Sequence, residues 1–338
     1  MSAAALDRRT TLRNVASETK SILPEILSKI LNLDTTVSSI HHSKYLGKLN
    51  PKDCPGYVLG IDDPEAGQKG TRIRVYDQDS FDTALEIQPG TTVSTLASSL
   101  QSVTDNSTLL PGNTALNHTS LKPITTDPAS TDESATTLKP VAVLNLASEK
   151  HAGGGWQRGA LAQEEALCYR SSLYLSLHHR YYPIPPQSAL YSPSVILIRE
   201  NMPAGHNLLY PNTPATDLPV FAVITMAALR RPKLNEGVFA YEDDVLLTKE
   251  KIRIVLRIAA LKGHGKLVLG AMGCGAFGNP PREVAQFFLD VLQEEEFQGG
   301  WWEDLVFAVL DNAKGDFAGK DGTGNFGIFY RALHGVVV

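Results

Sequence analysis

Cysteine is scarce in this sequence, and its spacing excludes two classes of small stabilised domain. The 338 residues contain 3 cysteines, which are far apart and form no CxxC pair. An odd number of isolated cysteines does not make a disulfide framework, and without CxxC spacing a zinc knuckle is not expected. Free cysteines are typical of a reducing compartment, so we expect an intracellular protein of the cytoplasm, the nucleus or both.

Long apolar runs and a surplus of positive charge are missing as well. No run approaches the roughly 18 apolar residues of a membrane helix, so we expect no membrane partner. The formal net charge is -5, and basic residues are scattered apart from short pairs such as Arg230-Arg231. Such a chain has no global field that would attract nucleic acid. Its 43% hydrophobic and 20% charged residues are instead typical of a globular protein with a sizeable core.

The first part of the chain is helical in pattern. Apolar residues at helical spacing between positions 12 and 30 predict one amphipathic helix, or two short helices bent at Pro24. We therefore expect residues 1–50 to form a helical extension packed on the main domain. Apolar residues alternating with arginines predict a strand over 71–77, and a helix is expected over 91–101.

From about residue 104 to 139 the chain is rich in Thr, Ser, Asp, Asn and Pro, which predicts a flexible polar insertion. Short apolar runs then alternate with helical patterns, which favours an α/β layered domain with a mainly parallel sheet. Ligands of such sheets bind beyond the carboxyl ends of the strands. The predicted strands are 141–147, 194–198, 220–225, 266–271 and 305–310, and the predicted helices are 161–179, 248–262 and 281–294.

Three consecutive glycines, 153–155, follow the predicted strand 141–147 and precede Gln163-Glu164-Glu165. Glycine lets a backbone approach a ligand closely, and adjacent carboxylates can supply acid–base chemistry. A flexible turn followed by acids that only complement a helix dipole is the alternative interpretation. The close spacing of the three glycines and the Gln-Glu-Glu sequence favours a loop that wraps a phosphate-bearing substrate and presents a glutamate to the bond that breaks.

A second glycine-rich loop occupies residues 270–279. It follows a predicted strand and precedes a helix that we expect to open at Asn279 and Pro280. Unpaired backbone N–H groups at such a helix start bind phosphate well. The sequence therefore predicts an anionic ligand at this loop.

The same loop has a second interpretation as a dinucleotide fingerprint. Gly273, Gly275 and Gly278 match the pattern G-x-G-x-x-G, which leaves a nicotinamide-dependent oxidoreductase as an alternative. That fold expects an acid about 20 residues further on, at the end of the next strand. Here the next predicted strand ends clearly later, at Asp311.

Together these stretches resemble the microbial-type poly(ADP-ribose) glycohydrolases, which are macrodomain proteins. The signature of that family is three glycines, a short spacer and Gln-Glu-Glu, as in 153–155 and 163–165 here, and 273–278 is similar to its second phosphate-binding loop. The resemblance covers most of the chain outside 104–139. It implies a three-layer α/β/α macrodomain with a mixed, mainly parallel sheet over residues 51–338, and neither a metal nor a cofactor.

The resemblance also implies a role for each matching residue. Glu165 is implied as the catalytic acid and base, Glu164 as a contact to the ribose beside the scissile bond, and Gln163 as a brace of the loop. The other implied contacts, including Phe277 against the distal ribose, surround the diphosphate and the riboses: Asn145, Gly153, Gly154, Gly155, Gly273, Gly275, Ala276, Phe277 and Gly278.

Two stretches depart from the family pattern. His151-Ala152 stands where the family usually has Pro before its glycine triplet. Residues 226–232, Met-Ala-Ala-Leu-Arg-Arg-Pro, stand where the family tends to have small residues and Pro. The resemblance therefore says little about contacts on the adenine side.

Cleavage of a ribosyl O-glycosidic bond passes through an oxocarbenium-like state, which protonation of the leaving oxygen and nearby negative charge both favour. Glu164 and Glu165 are adjacent, so we do not expect them to flank the bond from opposite faces, and we assign one chemical and one binding carboxylate. Repulsion between neighbouring acids raises one pKa, whereas a helix N-terminus favours carboxylates. The sequence leaves this balance open.

We therefore predict a glycosidase that reverses ADP-ribosylation by hydrolysing poly(ADP-ribose) or ADP-ribosylated proteins and releasing ADP-ribose. A macrodomain that binds ADP-ribose without cleaving it is the alternative from another class. We expect a monomer, with nucleic acid entering only as a modified acceptor.

Overall fold

A seven-stranded mixed sheet dominates the computed structural model, which describes residues 3–107 and 138–338. Its strand order is β1-β4-β5-β3-β8-β9-β2. The strands are β1 (Ser39–His42), β2 (Arg74–Tyr76), β3 (Ala142–Ala147), β4 (Ser188–Ile196), β5 (Val220–Ala227), β8 (Lys266–Leu269) and β9 (Asp304–Ala308), and a separate hairpin contains β6 (Leu234–Asn235) and β7 (Val238–Phe239). The five strands from β5 to β2 are mutually parallel, whereas β4 runs antiparallel to both β5 and β1.

Helices cover both faces of this sheet. They are α1 (Ala3–Ser28), α2 (Ser80–Ile87), α3 (Val93–Ser107), α4 (Gln163–Arg170), α5 (Glu242–Leu261), α6 (Pro281–Leu292) and α7 (Asn325–Leu333). One core cluster contains side chains of α5, α6 and α7, and a second contains side chains of α1, α2 and α4. Strand β3 contributes Ala142 and Leu144 to the first cluster and Val143 to the second, because successive side chains point to opposite faces of a sheet.

This arrangement confirms the predicted fold class, a three-layer α/β/α domain with a mixed, mainly parallel sheet. It also explains why the strand segments read as continuous apolar runs. Every residue of β5 is buried, as expected for a central strand that has helices on both faces.

Helix α1 is continuous through Pro24, so the interpretation as two bent helices is wrong. Pro24 lies on the exposed side of the helix, while Leu23 and Ile26 are fully buried on the other side. On that exposed side water can satisfy the carbonyl that proline leaves without an N–H partner. The missing hydrogen bond therefore does not break the helix.

Several boundaries differ from the sequence predictions. The helix predicted over 161–179 ends at Arg170, where the Ser171 hydroxyl donates to Leu167 O at 2.7 Å and the chain becomes extended. Strand β1 lies inside the predicted N-terminal helical extension and forms one edge of the sheet. Neither α7 nor the β6–β7 hairpin was predicted.

Helix α3 continues to Ser107, past the predicted start of the polar insertion at residue 104. Most of that insertion, residues 108–137, lies outside the described residues. The division of the chain into residues 1–50 and 51–338 stays a prediction. No helix in the described parts of the chain is long and apolar enough to span a lipid bilayer.

Candidate active site

The carboxyl ends of β3, β5 and β8 meet at one cleft of about 650 Å³. Ser148 and Ala228, each directly after its strand, and Ala271, two residues beyond β8, lie in its wall. The start of α4 forms one side and the second glycine-rich loop forms the other. The lining residues are Leu146, Ala147, Ser148, Ala162, Gln163, Glu164, Glu165, Ala228, Ala271, Gly273, Gly275, Ala276 and Phe277.

The glycine triplet packs against the two glutamates. Gly153 and Gly154 have φ values of 71° and 61°, a left-handed conformation that glycine adopts without the cost of a Cβ. A Cβ on Gly154 would lie well inside 3.0 Å of Glu165 Oε1. Gly155 N–H donates to the same oxygen at 2.8 Å. The triplet therefore allows the backbone to hold the Glu165 carboxylate directly.

Gln163 ties the start of α4 to the end of β3. Its Oε1 accepts from Leu146 N at 2.8 Å, and its Nε2 donates to Leu144 O at 2.7 Å and to Ser80 Oγ at 3.1 Å. Strand β3 pairs with β8 only at Ala142 and Val143, and beyond that point Gln163 bonds main-chain groups of β3. The predicted brace thus joins α4 to β3 and α2, and it does not touch the glycine triplet.

Glu164 is 2% exposed, and its Oε2 accepts from Ser148 N at 2.7 Å. Its Oε1 has no hydrogen-bond partner among the described residues. The pKa of Glu164 is raised from its usual 4.5 to about 8, mainly by burial and also by the neighbouring Glu165, while the Ser148 N–H and the Asn145 side chain oppose the shift. Burial therefore decides the balance that the sequence left open, and it leaves a proton on Glu164 at neutral pH.

Asn145 lies beneath Glu164, inside the protein. It is fully buried on β3 and donates through Nδ2 to Thr225 Oγ1 on β5 at 3.2 Å. Its side chain also lowers the pKa of Glu164. Asn145 therefore lies beside Glu164 and is not among the residues that line the cleft. Its contact with a substrate stays a prediction.

Glu165 is 9% exposed and faces the cleft. Glu165 follows Glu164 in the first turn of α4, and the two carboxyl groups diverge: Ser148 N–H holds that of Glu164 and Gly155 N–H holds that of Glu165. The two acids thus occupy different environments although they are neighbours in sequence.

The second glycine-rich loop presents a row of free donors. Within the described residues, the N–H groups of Gly275, Ala276 and Phe277 have no acceptor, whereas Cys274 N and Gly278 N are bonded inside the loop. Successive unpaired N–H groups make a concave anion-binding turn. Gly275 and Ala276 are exposed and Phe277 is half-buried. The loop therefore offers three main-chain donors to an anion.

Asn279 does not cap α6, so that prediction is wrong. The residue at the N-cap is Pro280, and Asn279 Nδ2 donates to Leu229 O at 2.6 Å and to Gly273 O at 3.2 Å. Gly273, at φ 77°, has no room for a Cβ, which would lie 2.5 Å from Asn279 Nδ2. Asn279 therefore clamps the loop to the end of β5. Gly278 is also left-handed, with a φ of 68°, but a Cβ there would meet no atom within 4 Å.

The dinucleotide interpretation expects a free acid after the next strand. Asp311 follows β9, but its carboxylate accepts from Ala313 N at 3.0 Å and from Gly319 N at 2.7 Å. The Asp311 carboxylate therefore holds the loop that follows β9. No group of three or more His, Cys, Asp or Glu side chains suited to a metal ion occurs within residues that the structure describes.

Two contributors to the site were missed from sequence. Ser148 supplies the N–H that holds Glu164, and Ser80, at the start of α2, accepts a hydrogen bond from Gln163. Ser148 directly follows a predicted strand, so its place at the carboxyl edge of the sheet was a usable signal. Ser80 lies 83 residues from Gln163, and no local pattern links the two.

Helix α1 supports the glycine loop from outside the cleft. Arg9 Nε and Arg13 Nε donate to Arg158 O at 2.9 Å and 3.3 Å. Gly159 packs so closely on the Arg9 carbonyl that a Cβ there would overlap it. The segment that follows the triplet is thereby held between α1 and α4.

Comparison with known proteins agrees with this geometry. Residues 61–200 match the model of the microbial-type PARG catalytic domain, and this range contains the glycine triplet and both glutamates. No curated protein matches the chain significantly.

Two solved structures have similar folds. Poly(ADP-ribose) glycohydrolase from Thermomonospora curvata, bound to the inhibitor ADP-HPD, is 24% identical with a TM-score of 0.60, over 95% of this chain and 99% of that chain. Poly(ADP-ribose) glycohydrolase from Deinococcus radiodurans, in complex with ADP-ribose, is 27% identical with a TM-score of 0.51, over 79% of this chain and 85% of that chain. Over residues 61–200 the chain therefore matches the catalytic-domain pattern of the microbial-type poly(ADP-ribose) glycohydrolases, and its fold is similar to the folds of these two enzymes.

Proposed function

We propose that the protein hydrolyses the ribosyl O-glycosidic bond of poly(ADP-ribose) or of ADP-ribosylated proteins and releases ADP-ribose. The proposal rests on one observation: an acidic side chain and a row of main-chain N–H donors lie on opposite sides of one cleft. The Glu165 carboxylate, held by Gly155 N–H, faces the row of free N–H groups at 275–277. One side suits the sugar linkage and the other suits the diphosphate attached to that sugar.

Glu165 acts as the general acid and base. It first gives a proton to the leaving oxygen while the anomeric C–O bond breaks. As a carboxylate it then takes a proton from the water that adds to the anomeric carbon, which restores the acid. Its charge also stabilises the cation that develops on the ribose. The net reaction consumes one water and needs no metal ion.

Glu164 binds the ribose next to the scissile bond. Because burial raises its pKa to about 8, it is mostly neutral at pH 7 and can donate a hydrogen bond from its unpartnered side to a ribose hydroxyl. The glycine triplet and Gln163 keep both acids in place, and Phe277 packs on the distal ribose.

The substitution Glu165→Gln tests the catalytic role. Glutamine can still accept from Gly155 N–H, so folding and ADP-ribose binding should persist, while release of ADP-ribose should fall at least ~100-fold because an amide transfers no proton. The products from polymer and from singly modified serine and glutamate peptides are identified by mass spectrometry, and binding is measured by calorimetry.

Glu86→Gln is the matched control, because Glu86 is exposed on α2. Equal release by the Glu165→Gln and wild-type proteins would contradict the mechanism. Binding of ADP-ribose without any release by the wild-type protein would instead assign the fold to a non-hydrolytic ADP-ribose-binding module. We also propose that the protein is an intracellular monomer, which sedimentation and imaging of a fluorescent fusion would test.

A further inference from the structure

Three buried oxygen atoms without a hydrogen-bond partner belong to one group of side chains around Glu164. Within the part of the chain that the structure describes, Asn145 Oδ1, Glu164 Oε1 and Tyr182 Oη are buried and have no partner. The Asn145 side chain lowers the pKa of Glu164, and Glu164 raises the pKa of Tyr182, so the three side chains influence one another. Buried polar atoms are nearly always paired, because an unpaired one costs free energy.

Tyr182 lies in the loop that precedes β4. It packs against the core cluster that contains side chains of α1, α2 and α4. Two residues further on, Ile184 N–H donates to Glu149 O at 2.8 Å. Glu149 directly follows Ser148, whose N–H holds Glu164 Oε2. The loop is therefore fastened to the same end of β3 that holds Glu164.

The Tyr182 hydroxyl is a hydrogen-bond donor in need of an acceptor. Tyr182 as a whole is half-buried, but its hydroxyl oxygen is buried. The pKa of Tyr182 is raised above its usual 10, mainly by burial and also by Glu164 and Cys168, so the hydroxyl keeps its proton at neutral pH. Of these two neighbours, Glu164 offers the stronger acceptor, since a thiol sulfur accepts only weakly.

We propose that the Tyr182 hydroxyl positions the Glu164 carboxyl group through one buried water molecule, which accepts from Tyr182 and donates to Glu164 Oε1. Asn145 Oδ1 accepts the second proton of this water, and about three hydrogen bonds are typical of buried water. Tyr182 is thus a positioning residue that acts through Glu164.

This role rests on the proposed function, in which neutral Glu164 donates a hydrogen bond to the ribose. Because Oε2 accepts from Ser148 N–H, the proton of the neutral acid belongs on Oε1. A protonated carboxyl oxygen can accept one hydrogen bond and donate another. With the water on its accepting side, Oε1 directs its proton to the ribose. Without the water, the proton can turn inward to Asn145 Oδ1.

The substitution Tyr182→Phe removes only the hydroxyl group and therefore tests this role. The water loses its donor, and the Glu164 proton is no longer directed to the ribose. We expect the ADP-ribose Kd, measured by calorimetry, to rise about fivefold, which corresponds to the net contribution of one hydrogen bond. Because binding is measured and not release, the result does not depend on hydrolysis.

The same substitution in a Glu164→Gln background separates positioning from a merely structural role. With its oxygen on Ser148 N–H, the glutamine places its NH2 group where Glu164 Oε1 was, and this group accepts no hydrogen bond. Tyr182→Phe should then change the ADP-ribose Kd by less than about twofold, and the difference between the two backgrounds measures the coupling of the two residues. A structural defect would weaken binding equally in both backgrounds.

Tyr181→Phe is the matched control, because it removes the same group from the neighbouring residue. The Tyr181 hydroxyl donates to Ser38 O at 2.9 Å, so this variant should have a lower Tm and an unchanged ADP-ribose Kd. Tyr182→Phe should not gain stability. If the Tyr182 hydroxyl were truly unpaired, phenylalanine would raise Tm, because the cost of a buried unpaired group would disappear.

A high-resolution crystal structure of the wild-type protein tests the proposal even if a variant fails to fold. It should show one water molecule within hydrogen-bond distance of Tyr182 Oη, Glu164 Oε1 and Asn145 Oδ1. Three results would overturn the proposal: no water between these atoms, a higher Tm for Tyr182→Phe, or the same change in ADP-ribose Kd in both backgrounds.

Failure of the proposed function gives a different pattern. A wild-type protein that binds ADP-ribose but releases none from modified substrates is not a hydrolase, while the comparison of Kd values still decides the role of Tyr182. If ADP-ribose does not bind, both proposals fall.

Discussion

Gly154 and Gly67 have the same kind of backbone but very different surroundings. Both have positive φ, 61° and 83°, yet a Cβ on Gly154 would overlap Glu165 Oε1, while a Cβ on Gly67 would meet nothing within 4 Å. The two positions therefore separate the cost of a left-handed backbone from the cost of displacing the Glu165 carboxylate.

We expect Gly154→Ala to lower kcat for ADP-ribose release at least ~100-fold, because moving a catalytic group by about 1 Å costs that much. Gly67→Ala should share the backbone penalty of about 1 kcal/mol in the free energy of unfolding and keep full activity. Steady-state kinetics and thermal unfolding of both variants check this. A Gly154→Ala protein with the kcat of Gly67→Ala would show that Glu165 does not need the space beside the triplet.

Helix α4 is held at both ends by one turn of α2. Ser80 accepts from Gln163 at the start of α4, and Asp79 and Asp82 pair with Arg170 at its end. The Arg170 side chain is 2% exposed, whereas the two aspartates are 17% and 20% exposed. Glu164 and Glu165 both lie on this eight-residue helix, so its ends determine their position.

The substitution Arg170→Met should therefore lower both stability and activity. Removing one partner of a buried ion pair costs about 3 kcal/mol of unfolding free energy, which lowers Tm by about 4 °C in a domain of this size. The kcat should fall too, because the end of α4 loses its anchor. Thermal unfolding and ADP-ribose release are the measurements.

Arg180→Met serves as the comparison, since Arg180 is exposed. Among the described residues, its guanidinium group lies over the Tyr181 ring and donates to the Tyr181 hydroxyl. Substitutions at such surface sites change stability by about 0.5 kcal/mol or less. Equal melting temperatures of the two methionine variants would disprove the anchoring role of Arg170.

At the scale of the whole molecule, burying Glu164 makes the stability of the fold depend on pH. The pKa of Glu164 is about 8 in the folded protein and near its usual 4.5 when the chain is unfolded. Below pH 4.5 Glu164 is protonated in both the folded and the unfolded state, so its titration does not change the free energy of unfolding. Between pH 4.5 and 8 the folded state holds more protons than the unfolded state, so the free energy of unfolding falls as pH rises.

Glu164→Gln removes this dependence and keeps an oxygen that can accept from Ser148 N–H. We expect the unfolding free energy of the variant, relative to wild type, to rise between pH 5 and 8 and then level off, by an amount on the order of several kcal/mol. Denaturant unfolding of both proteins from pH 5 to 9 measures this difference, and other titrating groups cancel because both proteins share them. A difference that does not change with pH would mean that Glu164 is not buried as a neutral acid.

The sequence by itself determined the fold class, the glycine triplet, the two acids and the second loop, because apolar periodicity and glycine runs are local properties. It also carried the family resemblance, since the motif residues are consecutive in the chain. The β1 strand and α7 escaped prediction because their pairing partners and core contacts come from distant segments.

Only the tertiary structure decided that burial raises the pKa of Glu164, that Asn145 lies beside Glu164, and that Asn279 clamps a loop in place of capping a helix. It also brought the main chain of Arg231 beside Phe277. Each of these depends on burial or on contacts between residues far apart in the chain. Free energies of desolvation and long-range hydrogen bonds exist only once the chain has packed, so no reading of neighbouring residues could supply them.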